Sequence, residues 1–225
     1  MFISEVYESF QGEGPFAETP SLFIRTSGCN LRCSFCDTPY TSWAPEGDQR
    51  TLEDLRSVVE TSAMPHVVLT GGEPMLAPQL AELSDICRVA GKTITIETAG
   101  TVDRSVECDL MAISPKMKNS VPDDNVWSTR HEDTRHQPAV IKSLFERYEC
   151  ILKFVIDNDK DVLEVLQYLD EFPTVDAEKV WLMPQARTRE QLIEKADAVQ
   201  EAARKNNFHY SPRLHVEKFG DRRGV

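Results

Sequence analysis

Three cysteines lie within eight residues of sequence, at Cys29, Cys33 and Cys36. Thiolates at this spacing can fold around one metal centre, and the sequence offers no fourth cysteine nearby. Structural zinc sites usually have four protein ligands, and ordinary four-iron clusters have four cysteines. Three ligands therefore leave one corner of a metal centre open for a group that is not protein. The alternatives are a zinc knuckle that borrows a histidine, or three buried thiols.

The elements that must position these cysteines alternate between strands and helices. Buried parallel strands are typically short, continuous apolar runs. Six such runs lie between helical patterns, at 21–26, 66–70, 92–97, 109–114, 150–156 and 179–183. This alternation predicts an α/β fold with a mainly parallel six-stranded sheet. Six strands are fewer than a closed eight-stranded barrel needs, so we expect an incomplete, TIM-like barrel.

The whole chain of 225 residues is predicted to form one domain. Its parts would be an N-terminal extension at 1–20, the partial barrel at 21–217 and a tail at 218–225. Two capping boxes predict helix starts, one at Thr51 and one at Thr188. A last short strand is expected at 213–217. Residues 117–137 are polar and have no clear period, which predicts a long loop.

Composition restricts the partners. The net charge of −12 disfavours a large nucleic-acid surface, so a small molecule is the better expectation. No apolar stretch is long enough to cross a membrane, and the N-terminus lacks the basic region of a signal peptide. Six cysteines, three of them crowded together, do not resemble a disulfide framework in a chain of this size. These features predict a cytoplasmic protein.

Polar motifs follow the ends of the predicted strands, where active sites of parallel sheets form. They are Gly71-Gly72-Glu73-Pro74, Glu97-Thr98, Ser114-Pro115-Lys116 and Met183-Pro184-Gln185. Their shared position predicts one pocket, which the cysteines also reach. Cys87 lies on the apolar face of a helical pattern and is expected in the core. Three histidines lie in polar surroundings and are expected to be solvated: His131, His136 and His209.

The Cys-x3-Cys-x2-Cys spacing after a strand, with Gly-Gly-Glu-Pro after the next one, resembles the radical S-adenosylmethionine (SAM) enzymes. Four segments together narrow the resemblance to the 7-carboxy-7-deazaguanine synthase family: Glu8–Pro15, Phe23–Arg25, Cys36–Thr38 and Thr70–Pro74. The resemblance implies a partial barrel of the radical SAM type. It also implies a 4Fe-4S cluster held by the three cysteines, SAM on its fourth iron, a magnesium ion and a homodimer.

The reaction implied by the resemblance is a radical ring contraction. The substrate would be 6-carboxy-5,6,7,8-tetrahydropterin, and the products 7-carboxy-7-deazaguanine and ammonia, on the path to queuosine. An electron donor such as flavodoxin or ferredoxin would reduce the cluster. SAM would then be cleaved, and the 5′-deoxyadenosyl radical would take a hydrogen atom from C6 of the pterin.

The resemblance also implies which residues contact each ligand. Those for SAM are Phe35, Gly72, Ser114, Pro115, Lys116, Leu182, Met183, Pro184 and Gln185. Those for the pterin are Phe10, Gln11, Gly12, Arg25 and Thr70, and Thr38 would bind magnesium. A guanidinium suits a carboxylate through its bidentate fork, and magnesium prefers hard oxygen ligands.

Residue chemistry alone leaves alternatives open at these positions. An arginine on a strand is more often at the surface. Asp37-Thr38-Pro39 is also compatible with a turn in which the threonine hydroxyl bonds its own backbone. His215 attracts attention, but no site is assigned in the tail and no general base is assigned anywhere.

Two rival functions remain at this stage. A glycyl-radical activating enzyme has a similar length and cysteine spacing, but it acts on a protein and lacks the paired Gln-Gly-Glu-Gly and Cys-Asp-Thr segments. A zinc-binding module without enzymatic activity is the second rival. Metal analysis separates it from a cluster enzyme, since the latter holds roughly four irons per chain rather than one zinc.

Overall fold

A computed structural model describes residues 1–123, 125–220 and 222–224. Position 124 of the predicted loop and positions 221 and 225 of the predicted tail lie outside the described residues. The strands are β1 (Phe2–Phe10), β2 (Pro20–Thr26), β3 (Asp48–Gln49), β4 (His66–Gly71), β5 (Thr93–Thr98), β6 (Leu110–Ile113), β7 (Cys150–Ile156), β8 (Val180–Pro184) and β9 (His209–Tyr210). The helices are α1 (Pro39–Ser42), α2 (Leu52–Thr61), α3 (Leu80–Val89), α4 (Asn125–Arg135), α5 (Pro138–Arg147), α6 (Asp159–Leu169), α7 (Arg189–Lys205) and α8 (Leu214–Phe219).

These strands form one open sheet in the order β3-β1-β2-β4-β5-β6-β7-β8-β9. The run from β2 to β9 is parallel, while β1 pairs antiparallel with β2 and β3. The α/β class, the mainly parallel sheet and the incomplete barrel are therefore confirmed. The number of strands is corrected, since nine replace the expected six. The six predicted strands are β2 and β4 to β8.

Side-chain alternation divides each strand between two environments. Successive residues of a strand point to opposite faces. One face packs against the helices and forms the main core, which includes Ile24, Leu69, Ile96, Leu152 and Leu182. The other face lines the inside of the open barrel and carries more polar groups. The chemistry of the molecule depends on this inner face.

Local capping explains where two helices begin. Thr51 accepts a hydrogen bond from the Asp54 amide, and Thr188 accepts one from the Gln191 amide, each within a complete capping box. Both predicted starts are confirmed. The segment between β5 and β6 holds no helix, so the chain passes directly between these neighbouring strands.

Two secondary-structure predictions were wrong. Of the segment predicted as a strand at 213–217, residues 214–217 lie in helix α8 and Arg213 is its N-cap, and the last strand is β9 instead. Pro212 has no amide hydrogen with which to extend a β-ladder, and the Leu214 amide donates to the carbonyl of Gly12 at 3.0 Å. The predicted loop at 117–137 contains helix α4 and a short 3₁₀ turn at Lys118–Ser120.

Helix α4 escaped detection because its buried side chains are polar. His131 is 1% exposed and Arg135 is 8% exposed, whereas Val126 on the same helix is 76% exposed. The prediction that His131 is solvated was therefore wrong. Burial lowers its pKa to about 4. His209 is exposed, and His136 is half-exposed beside Glu171.

The segment between β1 and β2 crosses the open side of the barrel. The amide of Gly14 donates to Ser211 Oγ at 3.0 Å, across 197 positions of sequence. Gly14 has a φ of +67°, a conformation that favours glycine. The Gly12–Leu214 hydrogen bond lies in the same region. These contacts join the start of the chain to its end beside the cavity described below.

Candidate functional site

A cavity of about 410 Å³ opens at the carboxyl ends of the parallel strands. Its volume lies within the range of small-molecule sites, roughly 300 to 1,000 Å³. Inner-face residues of the strands form its floor. The cysteine loop, here residues 28–38, contributes one part of its wall. Residues near both termini contribute another part, among them Gln11, Glu13, Arg213 and His215.

The cysteine loop is built on close backbone contacts. Gly28 has a φ of +106°, and its amide donates to the carbonyl of Thr41 at 2.8 Å. Its own carbonyl accepts the Glu73 amide at 2.9 Å. Cys29, Cys33 and Cys36 all line the cavity beyond this glycine. The loop thus carries the three thiols to the position that the sequence predicted.

The three thiols fit a metal cluster, and it is the metal that must displace their protons. Burial raises the pKa of Cys29 to about 11 and that of Cys33 to about 12, so both thiols hold their protons until a metal replaces them. Ser42 Oγ lies 3.4 Å from Cys36 Sγ, where it can donate to a thiolate. No fourth cysteine lines the described part of the cavity. This donor set suits an iron–sulfur cluster with one open corner.

The other cysteines belong to the core. Cys87 and Cys150 are buried there, and Cys108 is half-buried against it. The expectation that Cys87 is a core residue is confirmed. Among the described residues, no three His, Cys, Asp or Glu side chains are arranged to hold a single metal ion.

Gly71-Gly72-Glu73-Pro74 joins the end of β4 to the cysteine loop. A Cβ on Gly72 would lie 2.2 Å from the carbonyl oxygen of Gly28, so only glycine permits this approach. Glu73 is buried and accepts from Thr98 Oγ1 at 2.7 Å and from the Ala99 amide at 2.8 Å. Burial raises the pKa of this carboxyl. Glu73 therefore ties two strand ends together and does not line the cavity.

Six of the nine residues implied for SAM line the cavity: Phe35, Gly72, Ser114, Lys116, Met183 and Gln185. Lys116 Nζ donates to the carbonyl and to the hydroxyl of Ser114, both at 2.8 Å. The side chains of Pro115, Leu182 and Pro184 are buried and do not line it. On β8 this follows from alternation, since Leu182 and Pro184 point to the helix layer while Met183 points inward.

All five residues implied for the pterin line the cavity: Phe10, Gln11, Gly12, Arg25 and Thr70. Two of them converge on Glu97, a residue noted at a strand end but given no role. Gln11 Nε2 donates to Glu97 Oε1 at 3.1 Å, and Thr70 Oγ1 donates to Glu97 Oε2 at 2.9 Å. Glu97 is thus the common acceptor of this polar group.

Arg25 points inward rather than to the surface. Its Nε donates to Glu5 Oε2 and its Nη2 to the Tyr7 hydroxyl, each at 2.8 Å. The nearby Tyr7, Tyr40 and Glu5 outweigh burial and raise the pKa of Arg25, which stays charged. Two of its three nitrogens are committed within the protein. The expected bidentate fork is therefore only partly available, and Nη1 makes no hydrogen bond with the described residues.

The sequence analysis did not predict a buried group of charged side chains in the cavity. We call Glu13, Glu97, Lys153 and Arg213 the charged cluster. Lys153 pairs with Glu13 and lies 3.8 Å from Glu97, while Arg213 Nε lies 3.2 Å from Glu13. Burial opposes ionisation of Glu13, but Lys153 and Arg213 together hold its pKa well below the usual range. Burial opposes the charge of Lys153 as well, but Glu13 and Glu97 outweigh it and raise the pKa of Lys153.

Thr38 occupies the start of helix α1 without capping it. Its side chain makes no capping hydrogen bond, so the alternative of a hydroxyl bonded to its own backbone does not hold here. Thr41 Oγ1 lies 3.3 Å from Thr38 Oγ1, and Cys36 Sγ lies 3.9 Å from it. Thr38 lines the cavity beside Cys36, the last of the three cysteines.

The end of the chain covers part of the cavity. The Arg223 guanidinium lies 3.5 Å from the centroid of the Tyr40 ring and pairs with Glu5 at 3.4 Å. The Phe219 ring lies 5.7 Å from the Phe10 ring. Gly12 packs so closely on His215 that a Cβ would lie 2.4 Å from its Nδ1. His215, left without a role from the sequence, lies inside the site.

Comparisons with known proteins agree with this geometry. Residues 23–116 match the family model of the Radical SAM superfamily. A 7-carboxy-7-deazaguanine synthase of Rhodopirellula baltica is 43% identical over 100% of this chain and 89% of its own. One from Halobacterium salinarum is 38% identical over 97% of this chain and 90% of its own. The crystal structure of QueE from Escherichia coli matches with a TM-score of 0.67 and 24% identity, over 93% of this chain and 92% of that one.

Proposed function

The chain belongs to the 7-carboxy-7-deazaguanine synthase family of radical SAM enzymes. On that premise we propose that it converts 6-carboxy-5,6,7,8-tetrahydropterin into 7-carboxy-7-deazaguanine with loss of ammonia, in queuosine biosynthesis. One observation carries the proposal. The three thiols and the Gln11–Glu97–Thr70 group line the same cavity, so a cluster and a polar heterocycle can share it.

The cofactors are a 4Fe-4S cluster and SAM. We propose that Cys29, Cys33 and Cys36 hold the cluster and that the six cavity-lining residues named above contact SAM. When bound and reduced, the cluster and SAM supply a radical that takes a hydrogen atom from the substrate. Lys116 offers a positive charge for a ligand carboxylate, and its bonds to Ser114 fix its direction.

The pterin would bind to the inner face beside the charged cluster. Its pyrimidine edge presents N–H donors, for which a carboxylate is the natural acceptor. Glu97 is placed to accept them once Gln11 and Thr70 turn from it to the ligand. Lys153 Nζ lies 3.8 Å from this carboxylate and provides a positive charge beside it. Arg25 Nη1 is the group that we assign to the substrate carboxylate, with Glu5 and Tyr7 holding the guanidinium in place.

A magnesium ion would bind beside Thr38. A hydroxyl is a weak ligand alone, so substrate oxygens and water must complete the shell of the ion. The support is that the Thr38 hydroxyl lines the cavity without capping α1. The ion would orient the substrate and stabilise negative charge that develops on it.

Partners and compartment are part of the same proposal. Reduction of the cluster requires a one-electron donor such as flavodoxin or ferredoxin, and we propose a homodimer as the working form. Among the described residues, no helix has the length and apolarity to cross a membrane. All six cysteines are free thiols, which supports a place in the reducing cytoplasm.

Anaerobic reconstitution tests the function directly. Protein loaded with iron and sulfide is incubated with SAM, the carboxypterin, magnesium and a reductant, and products are measured by mass spectrometry. We expect 7-carboxy-7-deazaguanine and ammonia from the wild type and neither from Cys33→Ala. A loaded protein that cleaves SAM yet leaves the pterin intact would reject the substrate. One zinc per chain and no cluster would reject the enzyme class.

A further inference from the structure

Helix α4 and the turn before it pose a structural question. The helix is polar, yet it buries His131 and Arg135 almost completely. Burial of such groups is costly unless each hydrogen bond is satisfied. The contacts of these two side chains therefore indicate what the segment holds in place.

His131 holds the backbone of the cysteine loop. The Arg32 amide donates to His131 Nδ1 at 3.0 Å. His131 Nε2 lies 2.9 Å from Ser120 Oγ, whose hydrogen is donated to the Met117 carbonyl at 2.5 Å. Nδ1 must accept and Nε2 must donate, so the ring is neutral and its tautomer is fixed. Every polar atom of the imidazole has a partner.

The contacted amide lies between two cluster ligands. Arg32 immediately precedes Cys33 and follows Cys29 by three positions. The next residue beyond Cys33 is fixed by the same segment, because the Ser34 amide donates to the Ser120 carbonyl at 2.9 Å. Ser34 Oγ donates to the Asn119 carbonyl at 3.0 Å. The segment thus forms hydrogen bonds with the cysteine loop on both sides of Cys33.

The same helix also fastens the SAM side of the cavity. Arg135 Nη1 donates to the carbonyl of Lys116 at 3.0 Å, and Glu132 pairs with the rest of the guanidinium. Lys116 and Cys33 lie on different loops, after β6 and β2. Helix α4 is bonded to both loops, through Arg135 and His131.

We propose that His131 is a positioning residue for the cluster, which fixes the Arg32 amide and couples the cysteine loop to the Lys116 loop through α4. The proposal rests on the cluster and SAM sites of the proposed function. It does not depend on which substrate is turned over. Outer contacts of this kind orient metal ligands and are felt in metal affinity.

Three substitutions separate the effect of the Nδ1 acceptor from the effect of the ring volume and of the Nε2 contact. His131→Phe keeps the ring volume and removes both nitrogens. His131→Asn keeps an oxygen close to the position of Nδ1, where it can accept the Arg32 amide. Ser120→Ala keeps the acceptor Nδ1 and removes the partner of Nε2 together with the hydroxyl bond to the Met117 carbonyl. His136→Phe is the matched control, since His136 is half-exposed and contacts Glu171 instead.

Two readouts are taken on the anaerobically reconstituted protein. Hydrogen exchange by mass spectrometry follows peptides that cover 28–36 and 114–120. Electron paramagnetic resonance records the reduced cluster with and without SAM. For His131→Phe we expect exchange at 28–36 to rise by roughly three- to tenfold, as for the loss of one net hydrogen bond. The cluster spectrum should change, and so should its response to SAM.

Recovery by the conservative variant decides the matter. His131→Asn should restore most of the exchange protection and the wild-type spectrum, and His136→Phe should leave both unchanged. If His131→Phe does not fold, Ser120→Ala should show a smaller change in the same peptides. Wild-type exchange and spectra in His131→Phe would overturn the proposal, as would an exchange increase spread over the whole chain. Absence of the deazaguanine product with these effects intact would reject only the proposed substrate.

Discussion

The cysteine loop and the charged cluster line one cavity but differ in how their reactive groups are held. The three thiols sit in apolar surroundings, with Leu31 and Ala99 packed against them. Their own pKa values keep Cys29 and Cys33 protonated, and only a metal makes them anionic. In the charged cluster the protein supplies both signs itself, and Lys153 and Arg213 keep Glu13 ionised. One region is completed by its cofactor, while the other is complete before any ligand binds.

The largest effect should come from the cysteine loop. Replacement of Cys29, Cys33 or Cys36 by alanine should abolish the brown, oxygen-sensitive chromophore and all turnover, because we propose these three thiolates as the protein ligands of the cluster. Iron content and absorbance measure this. The matched controls Cys87→Ala, Cys108→Ala and Cys150→Ala remove core thiols and should keep the cluster. A cluster that survives in Cys33→Ala would contradict the assignment.

In the charged cluster, loss of one partner should be felt in stability first. Lys153→Met leaves Glu13 and Glu97 with less counter-charge, and we expect the free energy of unfolding to fall by about 3 kcal/mol or more. Urea unfolding of the metal-free protein measures it. The control is Lys179→Met, which breaks the exposed Lys179–Glu149 pair and should cost less than about 1 kcal/mol. Equal losses in both variants would remove the distinction.

The pH dependence of stability sharpens the same contrast. The folded pKa of Glu13 lies below its unfolded value of about 4.3, so its contribution is fully present above that pH. It is lost progressively as the pH falls from the unfolded value towards the folded one, because protonation breaks its pairs. Lys153→Met should raise the folded pKa and flatten the acid limb of the stability curve. Urea midpoints between pH 6 and pH 3 test this, and unchanged slopes would count against the pairs.

A substitution at Arg25 tests whether pterin binding and SAM binding depend on different parts of the cavity. Arg25→Ala should weaken pterin binding by about 1.5 to 3 kcal/mol, the range for a charged hydrogen bond. SAM binding should hardly change, because Arg25 is paired on the side of Glu5 and Tyr7. Calorimetry with each ligand measures both. Tyr7→Phe is the control, since it loosens the guanidinium without removing it. Equal weakening of both ligands would argue against the substrate clamp.

The smallest effect is expected at Thr38. After thorough chelation the wild type should be stimulated by magnesium, whereas Thr38→Ala should lose most of the stimulation and keep its cluster. Thr38→Ser retains the hydroxyl and should respond like the wild type. The rate as a function of magnesium concentration is the measurement. A chelated wild type that runs at full rate would end the case for the ion.

Local chemistry explains how much of this could be predicted from the sequence. The buried strands are continuous apolar runs, and the starts of α2 and α7 carry capping boxes. These strands and helix starts could therefore be predicted from the sequence. Side-chain alternation in β8 was also available and would have separated Met183 from Leu182. Helix α4 left no apolar pattern because its buried residues are His131 and Arg135. Strand β9 is only two residues long.

The parts of the site that could not be predicted from the sequence depend on pairing between residues far apart in the chain. Glu13 and Arg213 are 200 positions apart, and neither residue shows from its neighbours that it will be buried. Arg25 illustrates the same limit, because a strand arginine is usually exposed. Its inward direction depends on the register that places Glu5 opposite it. The place of the three cysteines in the cavity was predictable because their spacing is local.

The bridge between Gly14 and Ser211 has a consequence for the living cell. Protein synthesis adds roughly 5 to 20 residues per second, so the partners of the Gly12–Gly14 segment emerge roughly 10 to 40 s after it. During that interval Glu13 has no Arg213, and the barrel side that both termini close stays open. The cysteine loop is already made. A nascent chain therefore exposes its three thiols before the cavity is finished, and we expect cluster insertion to follow release from the ribosome.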